Sequence, residues 1–201
     1  MTPHAARTSR RRHLEIEVKL RIHGQSLRRI RSELMKLGCE KTVARNLERN
    51  WTWDFPTHTL RQKGQLLRVR QVAGRCLFTF KGPARQSTLF KIREERETEV
   101  QDPVTLGVIL ERLGLEVVSC YEKFRTSYAL RMPSLRSSVH LAIDETPIGN
   151  YLEIEGRETD IQKVAAKLGF ERERFINESY LALFEKSSLR RTQRNMTFRK
   201  E

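Results

Sequence analysis

The sequence of 201 residues lacks any long apolar run. No segment approaches the ~18 consecutive apolar residues that a membrane-spanning helix needs, and the first 13 residues contain no apolar core of a secretory signal. Cysteine is scarce, since Cys39, Cys76 and Cys120 are the only three and are widely spaced. An odd number at that spacing fits neither a disulfide framework nor a zinc site. These absences predict a cytoplasmic protein without structural disulfides.

Two further absences narrow the range of possible functions. The cysteines, Thr42 and Ser87 have no neighbouring base of the kind that activates a nucleophile. The basic residues are not interleaved with exposed aromatic residues, although the protein carries a net charge of +14. A nucleic-acid-binding module is therefore a weaker hypothesis than an enzyme, and its support is the basic charge itself.

More than half of that charge lies at the two ends of the chain. Residues 1–13 carry +4 and residues 187–201 another +4, which leaves +6 for residues 14–186. Neither end shows a hydrophobic period, so we expect two basic disordered tails that contact polyanions weakly. No linker interrupts residues 14–186, which are predicted to form one domain.

The domain is predicted to be α+β, with eight strands and four helices. Most of the strands alternate apolar and polar residues with period two, and they span residues 14–22, 50–55, 65–72, 75–82, 89–100, 116–131, 138–146 and 150–156. The helices are predicted at 26–38, 102–114, 159–169 and 177–186, with Ser26 and Asp102 as N-terminal caps. This pattern favours a closed, mostly antiparallel eight-stranded barrel with amphipathic helices outside.

Each predicted strand carries its charges on one face. Residues i and i+2 of a strand share a face, so Glu15, Glu17 and Lys19 lie together with apolar residues on the opposite side. The helices are available to cover the apolar faces, which turns the charged faces toward the barrel lumen. The lumen set contains eight acids and seven bases: Glu15, Glu17, Glu95, Glu97, Glu99, Asp144, Glu153 and Glu155, with Lys19, Arg68, Arg70, Lys81, Arg93, Lys123 and Arg125.

This balance of charge has a chemical interpretation. Buried charges without partners cost many kcal/mol unless water or ions accompany them. Paired carboxylates suit a hard divalent cation such as Mg²⁺ or Mn²⁺, and paired arginines and lysines suit phosphate oxygens. A lumen with both sets predicts a site for a metal-bound polyphosphate. His140 shares the face of Asp144 and is assigned to the fold rather than to catalysis.

The same residues resemble the CYTH family, or triphosphate tunnel metalloenzymes, which includes class IV adenylate cyclases, thiamine triphosphatases and inorganic triphosphatases. The resemblance covers about residues 14–185. It rests on the E-x-E-x-K motif at Glu15–Lys19 and, in order, on "LLRVR", "TFKGP", "REERETE", "YEKFRTSY", "LAIDETPIGNYLEIEG" and "ESYLALF". The resemblance implies an eight-stranded antiparallel tunnel.

The resemblance also implies roles for the lumen residues. The expected ligands of one or two Mg²⁺ or Mn²⁺ ions are Glu15, Glu17, Glu97, Asp144, Glu153 and Glu155, where Glu97 is chosen over Glu95 and Glu99. The expected triphosphate-binding residues are Lys19, Arg68, Arg70, Lys81, Arg93, Lys123 and Arg125. Of these, Lys19, Arg70, Lys81, Lys123 and Arg125 are expected to act in catalysis as well.

The resemblance leaves the reaction open. Attack by water would make the protein a triphosphatase of tripolyphosphate, thiamine triphosphate or ATP. Attack by the ribose 3′-hydroxyl of ATP would give cyclic AMP and pyrophosphate. A third alternative is a non-catalytic module that binds triphosphate, another polyanion or RNA without turnover. A homodimer is expected by analogy with relatives.

Overall fold

The computed structural model of the chain describes residues 14–22 and 27–198. Within these residues it contains nine strands: β1 (Leu14–Arg21), β2 (Glu40–Asp54), β3 (Leu66–Val72), β4 (Arg75–Lys81), β5 (Lys91–Val100), β6 (Glu116–Leu130), β7 (Val139–Thr146), β8 (Gly149–Glu155) and β9 (Phe175–Ile176). The hydrogen-bonded order is β5-β4-β3-β2-β6-β7-β8-β1, and β1 also pairs with β5. Every one of these pairings is antiparallel. The sheet therefore closes into the predicted eight-stranded barrel, and β9 adds two residues beside β1.

Five α-helices accompany the barrel in the described residues: α1 (Leu27–Lys36), α2 (Thr59–Gln62), α3 (Pro103–Arg112), α4 (Glu158–Lys167) and α5 (Tyr180–Glu185). Helix α1 buries Ile30 and Leu34, and α4 buries Ile161 and Val164. These side chains join the apolar faces of β1, β7 and β8 in the largest core cluster. The core thus lies outside the barrel wall, and the charged strand faces are left to the lumen.

Local sequence explains two boundaries. Asp102 accepts hydrogen bonds from the backbone N–H groups of Val104 and Thr105, which confirms it as the cap of α3. The β3–β4 hairpin turns at Ala73 and Gly74, whose φ angles are 48° and 78°. Two consecutive positive φ angles match the twist of paired strands, so this turn holds β3 and β4 in tight register.

The largest difference from the predicted elements concerns β2. The prediction placed this strand at 50–55, whereas it begins at Glu40 and extends over 15 residues. Residues 40–45 are exposed and their pairing with β6 contains register shifts at Lys41/Val43 and Val43/Asn46. An exposed, irregular strand leaves no clean alternation in the sequence, which is why its first ten residues were missed.

The expectation of a disordered tail is wrong for residues 187–198. A 3₁₀ turn at Ser188–Arg191 leads to Met196, which is fully buried. Met196 donates its backbone N–H to the carbonyl of Cys120, and its own carbonyl accepts from Glu122, so the segment follows β6 in parallel. Phe198 then packs on Phe124, with ring centroids 5.2 Å apart. A few apolar anchors therefore hold a segment that has no hydrophobic period.

Three predicted features lie outside the described residues: the tail at residues 1–13, the end of the second tail at 199–201 and the cap at Ser26. No helix among the residues that the structure describes is long and apolar enough to cross a membrane.

Candidate functional site

The two glutamate pairs of the sequence are neighbours in the barrel. Strands β1 and β8 run antiparallel with Glu17 opposite Glu155 and Lys19 opposite Glu153. Glu15, Glu17, Glu153 and Glu155 consequently line one cavity of about 330 Å³ together with His140. We call this cavity the carboxylate mouth. It brings four of the six predicted metal ligands to one place.

Ion pairs fill the lumen beyond the carboxylate mouth. Lys19 Nζ lies 2.9 Å from Glu17 Oε1 and 3.2 Å from Glu153 Oε1, and all three side chains are almost completely buried. Lys19 therefore neutralises Glu17 and Glu153 in part without any ligand.

Asp144 is the centre of a second group. Its side chain is fully buried and accepts hydrogen bonds from Lys123 Nζ at 2.9 Å and Arg125 Nε at 2.7 Å. The hydroxyl of Tyr180 donates to Asp144 Oδ2 at 2.7 Å. The ammonium groups of Lys19 and Lys123 lie 5.2 and 5.0 Å from the ring centroid of Tyr180. Since its oxygens are occupied in this way, Asp144 orients the cations of this wall.

The opposite wall carries the remaining predicted cations. Lys81 pairs with Glu15 at 2.9 Å and contacts Glu95. Arg68 lies 3.6 Å from Glu95, and Arg70 lies 3.5 Å from Glu48. All these distances join a side-chain nitrogen to a carboxylate oxygen, so each of these cations also has an acidic partner in the chain.

Arg93 differs from the other cations of the lumen. Arg93 is only 9% exposed, yet it forms no ion pair with any described carboxylate, and its Nε has no hydrogen-bond partner. A buried cation without a partner is costly. Its position in the lumen wall therefore points to an anionic ligand that the chain itself does not supply.

The structure separates the three candidate acids of β5. Glu95 faces Glu15 and Lys81 in the lumen, whereas the Glu97 side chain is 34% exposed and lies near Arg68 and Arg70. Glu99 is paired with Arg75 at the surface. Glu95 is thus closer to the carboxylate mouth than Glu97, the residue chosen from the sequence.

Sequence reasoning missed four lumen residues: Lys91, Tyr121 and Tyr180, which line the central cavity, and buried Glu48, which pairs with Arg70 and Lys123. Lys91 and Tyr121 have the strand parity of Arg93 and Lys123, so the alternation already contained the information. Glu48 was missed because β2 was predicted to begin at residue 50. Tyr180 follows the strand region in a helix, so no strand alternation marks it.

The pKa of Glu15 reports a shared proton. Burial and a hydrogen bond with Glu95 raise the pKa of Glu15 from its ordinary value to about 8, although Lys81 opposes the shift. Burial also lowers the pKa of Lys91 to about 7, with Lys19 contributing in the same direction. Burial alone would raise the pKa of Glu48, but Lys123, Arg125 and Arg70 bring it down to about 2. The raised pKa of Glu15 therefore favours one proton shared between Glu15 and Glu95 at neutral pH.

The donor chemistry of the carboxylate mouth fits a hard divalent cation. Its ligands would be carboxylate oxygens, and a cation would replace the proton that Glu15 and Glu95 share. As the side chains stand, no three His, Cys, Asp or Glu residues in the described part of the chain form a ready metal cluster, because the glutamates face Lys19, Lys81 and Lys91. The central cavity among these ion pairs has a volume of about 70 Å³.

A closed antiparallel barrel whose lumen is lined with paired acids and bases defines the structural class of this protein. The chain belongs to the CYTH family, because the CYTH domain model matches residues 13–192.

Three solved structures show the same fold. A candidate adenylate cyclase of Vibrio parahaemolyticus has a TM-score of 0.71 and 22% identity, over 86% of this chain and 98% of that one. A Pyrococcus horikoshii OT3 protein has a TM-score of 0.67 and 26% identity, over 84% and 98%. A candidate adenylyl cyclase from Hippeastrum, described as having a dominant triphosphatase activity, has a TM-score of 0.61 and 20% identity, over 86% and 95%. No curated protein matches the sequence.

Proposed function

We propose that this protein is a metal-dependent enzyme that acts on triphosphates inside the tunnel. The observation that carries the proposal is Arg93, a buried lumen cation without an anionic partner. The expected phosphate-binding residues Lys19, Arg68, Arg70, Lys81, Lys123 and Arg125 all line the same cavity as Arg93. A triphosphate is the kind of anion that contacts so many cations at once.

The lumen ion pairs explain why we expect metal and triphosphate to bind together. A triphosphate that contacts Lys19 and Lys81 takes Lys81 from Glu15, which has no other ion pair among the described residues. It also leaves Glu17 with Lys91 alone and Glu153 with Arg125 alone, so the buried carboxylates lose part of their neutralisation. Mg²⁺ or Mn²⁺ held by Glu15, Glu17, Glu153 and Glu155, with Glu95 nearby, would restore the balance. The ion would supply charge neutralisation at the phosphate oxygens. The arginines and lysines orient the phosphate chain for attack.

We propose hydrolysis of the phosphoanhydride bond as the primary reaction. In support, the lumen offers charged groups and tyrosines, and its Tyr121 and Tyr180 rings are both almost fully buried, so neither presents a free face to an adenine base. The relative from Hippeastrum is described as having a dominant triphosphatase activity. Cyclisation of ATP uses the same phosphate contacts and stays open as the alternative reaction.

One assay tests the proposal and separates the reactions. The purified protein is incubated with tripolyphosphate or ATP, in EDTA and in Mg²⁺ or Mn²⁺, and orthophosphate, pyrophosphate and cyclic AMP are measured. We expect orthophosphate from tripolyphosphate, which has no hydroxyl nucleophile of its own, and no product in EDTA. Cyclic AMP without orthophosphate from either substrate would identify a dedicated cyclase. Binding of both substrates without any product would show a non-catalytic triphosphate-binding module.

Two variants connect that assay to the carboxylate mouth. Glu17→Ala and Glu155→Ala should each lower activity at least about tenfold, because each removes a proposed metal ligand. Glu94→Ala is the matched control, since Glu94 lies on the outer face of β5 in a surface pair with Arg96. Equal activity of all three variants would rule out this placement of the metal.

A further inference from the structure

A second cavity lies next to the tunnel lumen. It has a volume of about 500 Å³ and lies between the ends of β2 and β6, helix α2 and the C-terminal residues 179–195. Leu66, Arg93, Ser179 and Leu181 line both this cavity and the lumen. We call it the vestibule. The vestibule therefore adjoins the lumen at these four residues.

The vestibule carries positive charge that the chain leaves unneutralised. Buried Arg93 and exposed Arg61 and Arg194 line it, and none of the three forms an ion pair with a carboxylate among the described residues. The vestibule's own carboxylates are already engaged: Asp54 accepts three backbone N–H bonds around α2, and Glu185 pairs with Arg190 at 3.1 Å. The free charge of this cavity therefore favours an anion.

The lining of the vestibule also argues against a stacked base. Its two large aromatic side chains, Trp53 and Phe184, are 8% and 2% exposed and belong to packed clusters. Stacking of a nucleobase needs an open aromatic face. Three guanidinium groups without partners suit phosphate oxygens instead.

We infer that the vestibule is a second anion site, which takes the phosphates of a linear inorganic polyphosphate that extends beyond the lumen. This inference rests on the proposed function, because the lumen must hold the first phosphates of the same chain. Arg93, at the boundary of the two cavities, contacts the chain where it leaves the lumen. The C-terminal segment supplies Arg194, so its order along β6 helps to form the substrate site.

The test compares the double variant Arg61→Ala/Arg194→Ala with the control Arg191→Ala. Arg191 is an exposed arginine of the same C-terminal segment and does not line the vestibule. Affinities for long-chain polyphosphate, tripolyphosphate and orthophosphate are measured at fixed salt with Mg²⁺ present. We expect the double variant to bind long-chain polyphosphate roughly 10- to 100-fold more weakly. Its affinity for tripolyphosphate should change less than about twofold, and Arg191→Ala should resemble the wild-type protein for all three ligands.

Several results would overturn the inference. An equal loss for the long chain and for tripolyphosphate would mean that the arginines act on the whole site and not on an extension. Weaker orthophosphate binding with unchanged long-chain binding would mean that the vestibule takes a free anion only. An unchanged affinity for all ligands would mean that the arginines are solvated surface charges. If the wild-type protein binds tripolyphosphate but gains nothing from a longer chain, the inference alone is wrong; if it binds neither, the proposed function is wrong too.

Discussion

At the scale of single residues, strand parity explains most of the site. Glu15, Glu17 and Lys19 alternate with apolar residues in the sequence, and in the structure they face the lumen while Val18 and Leu20 are fully buried in the outer core. Parity is reliable here because a slip of one residue would expose the whole apolar face. It assigns a face to each side chain, but it does not give the partner, so the contact of Glu95 with Glu15 was not predictable.

The shared proton of Glu15 leads to a prediction about pH. The pKa of Glu15 is about 8 in the folded protein against 4.5 ordinarily, so its protonated form contributes stability that is complete below pH 4.5 and is lost as the pH rises through 8. Glu15→Gln is neutral throughout and lacks this loss. We expect its Tm, relative to wild type, to rise by several degrees or more between pH 5 and 8. Each pH unit over which the folded wild-type protein holds one more proton than the unfolded chain costs ~1.4 kcal/mol of stability, and each kcal/mol shifts the Tm by roughly 2–4 °C.

Thermal unfolding without divalent cations, in steps of pH, measures this difference. Glu94→Gln is the control, since Glu94 is an exposed residue beside Arg96 on the outer face of β5. A constant difference between Glu15→Gln and wild type across that range would show that Glu15 is ionised in the folded protein.

At the scale of elements, the sequence predicted the strands whose two faces differ and missed those held by tertiary contacts. The cap at Asp102 has a local chemical cause and was predicted. The C-terminal segment has no period, since Met196 and Phe198 are isolated apolar residues among arginines. Its order depends on β6, which lies about 75 residues earlier in the chain, and local patterns contain no trace of such a contact.

The order of that segment is testable through Met196. Its side chain is fully buried among Tyr121, Tyr180 and Phe184, so Met196→Ala should destabilise the protein by about 2–5 kcal/mol. Met35→Ala is the matched control, because Met35 is 59% exposed on α1. Chemical denaturation of the two variants provides the comparison. Equal, small effects would mean that residues 187–198 do not pack on the barrel in solution.

At the scale of the whole molecule, the barrel wall separates the apolar cores from the ion pairs of the lumen. The apolar cores lie outside the wall under the helices, and they stabilise the fold independently of the lumen. The lumen contains ion pairs, which contribute little net stability when buried. We infer that the charges of the lumen are retained for a ligand. The expected homodimer and the metal preference stay predictions.

Arg93, the buried lumen cation without an ion pair, gives the most direct test of anion binding in the tunnel. The measurement is a calorimetric titration of tripolyphosphate with Mg²⁺ into wild type and Arg93→Met, together with the Tm of both proteins without ligand. Methionine removes the charge and keeps a long apolar side chain in its place. We predict that Arg93→Met binds tripolyphosphate roughly tenfold or more weakly than wild type, because a charge-assisted contact is lost. Its Tm should be equal or higher, because an unpaired buried charge is removed. Unchanged affinity would contradict this role of Arg93, whether or not the Tm falls.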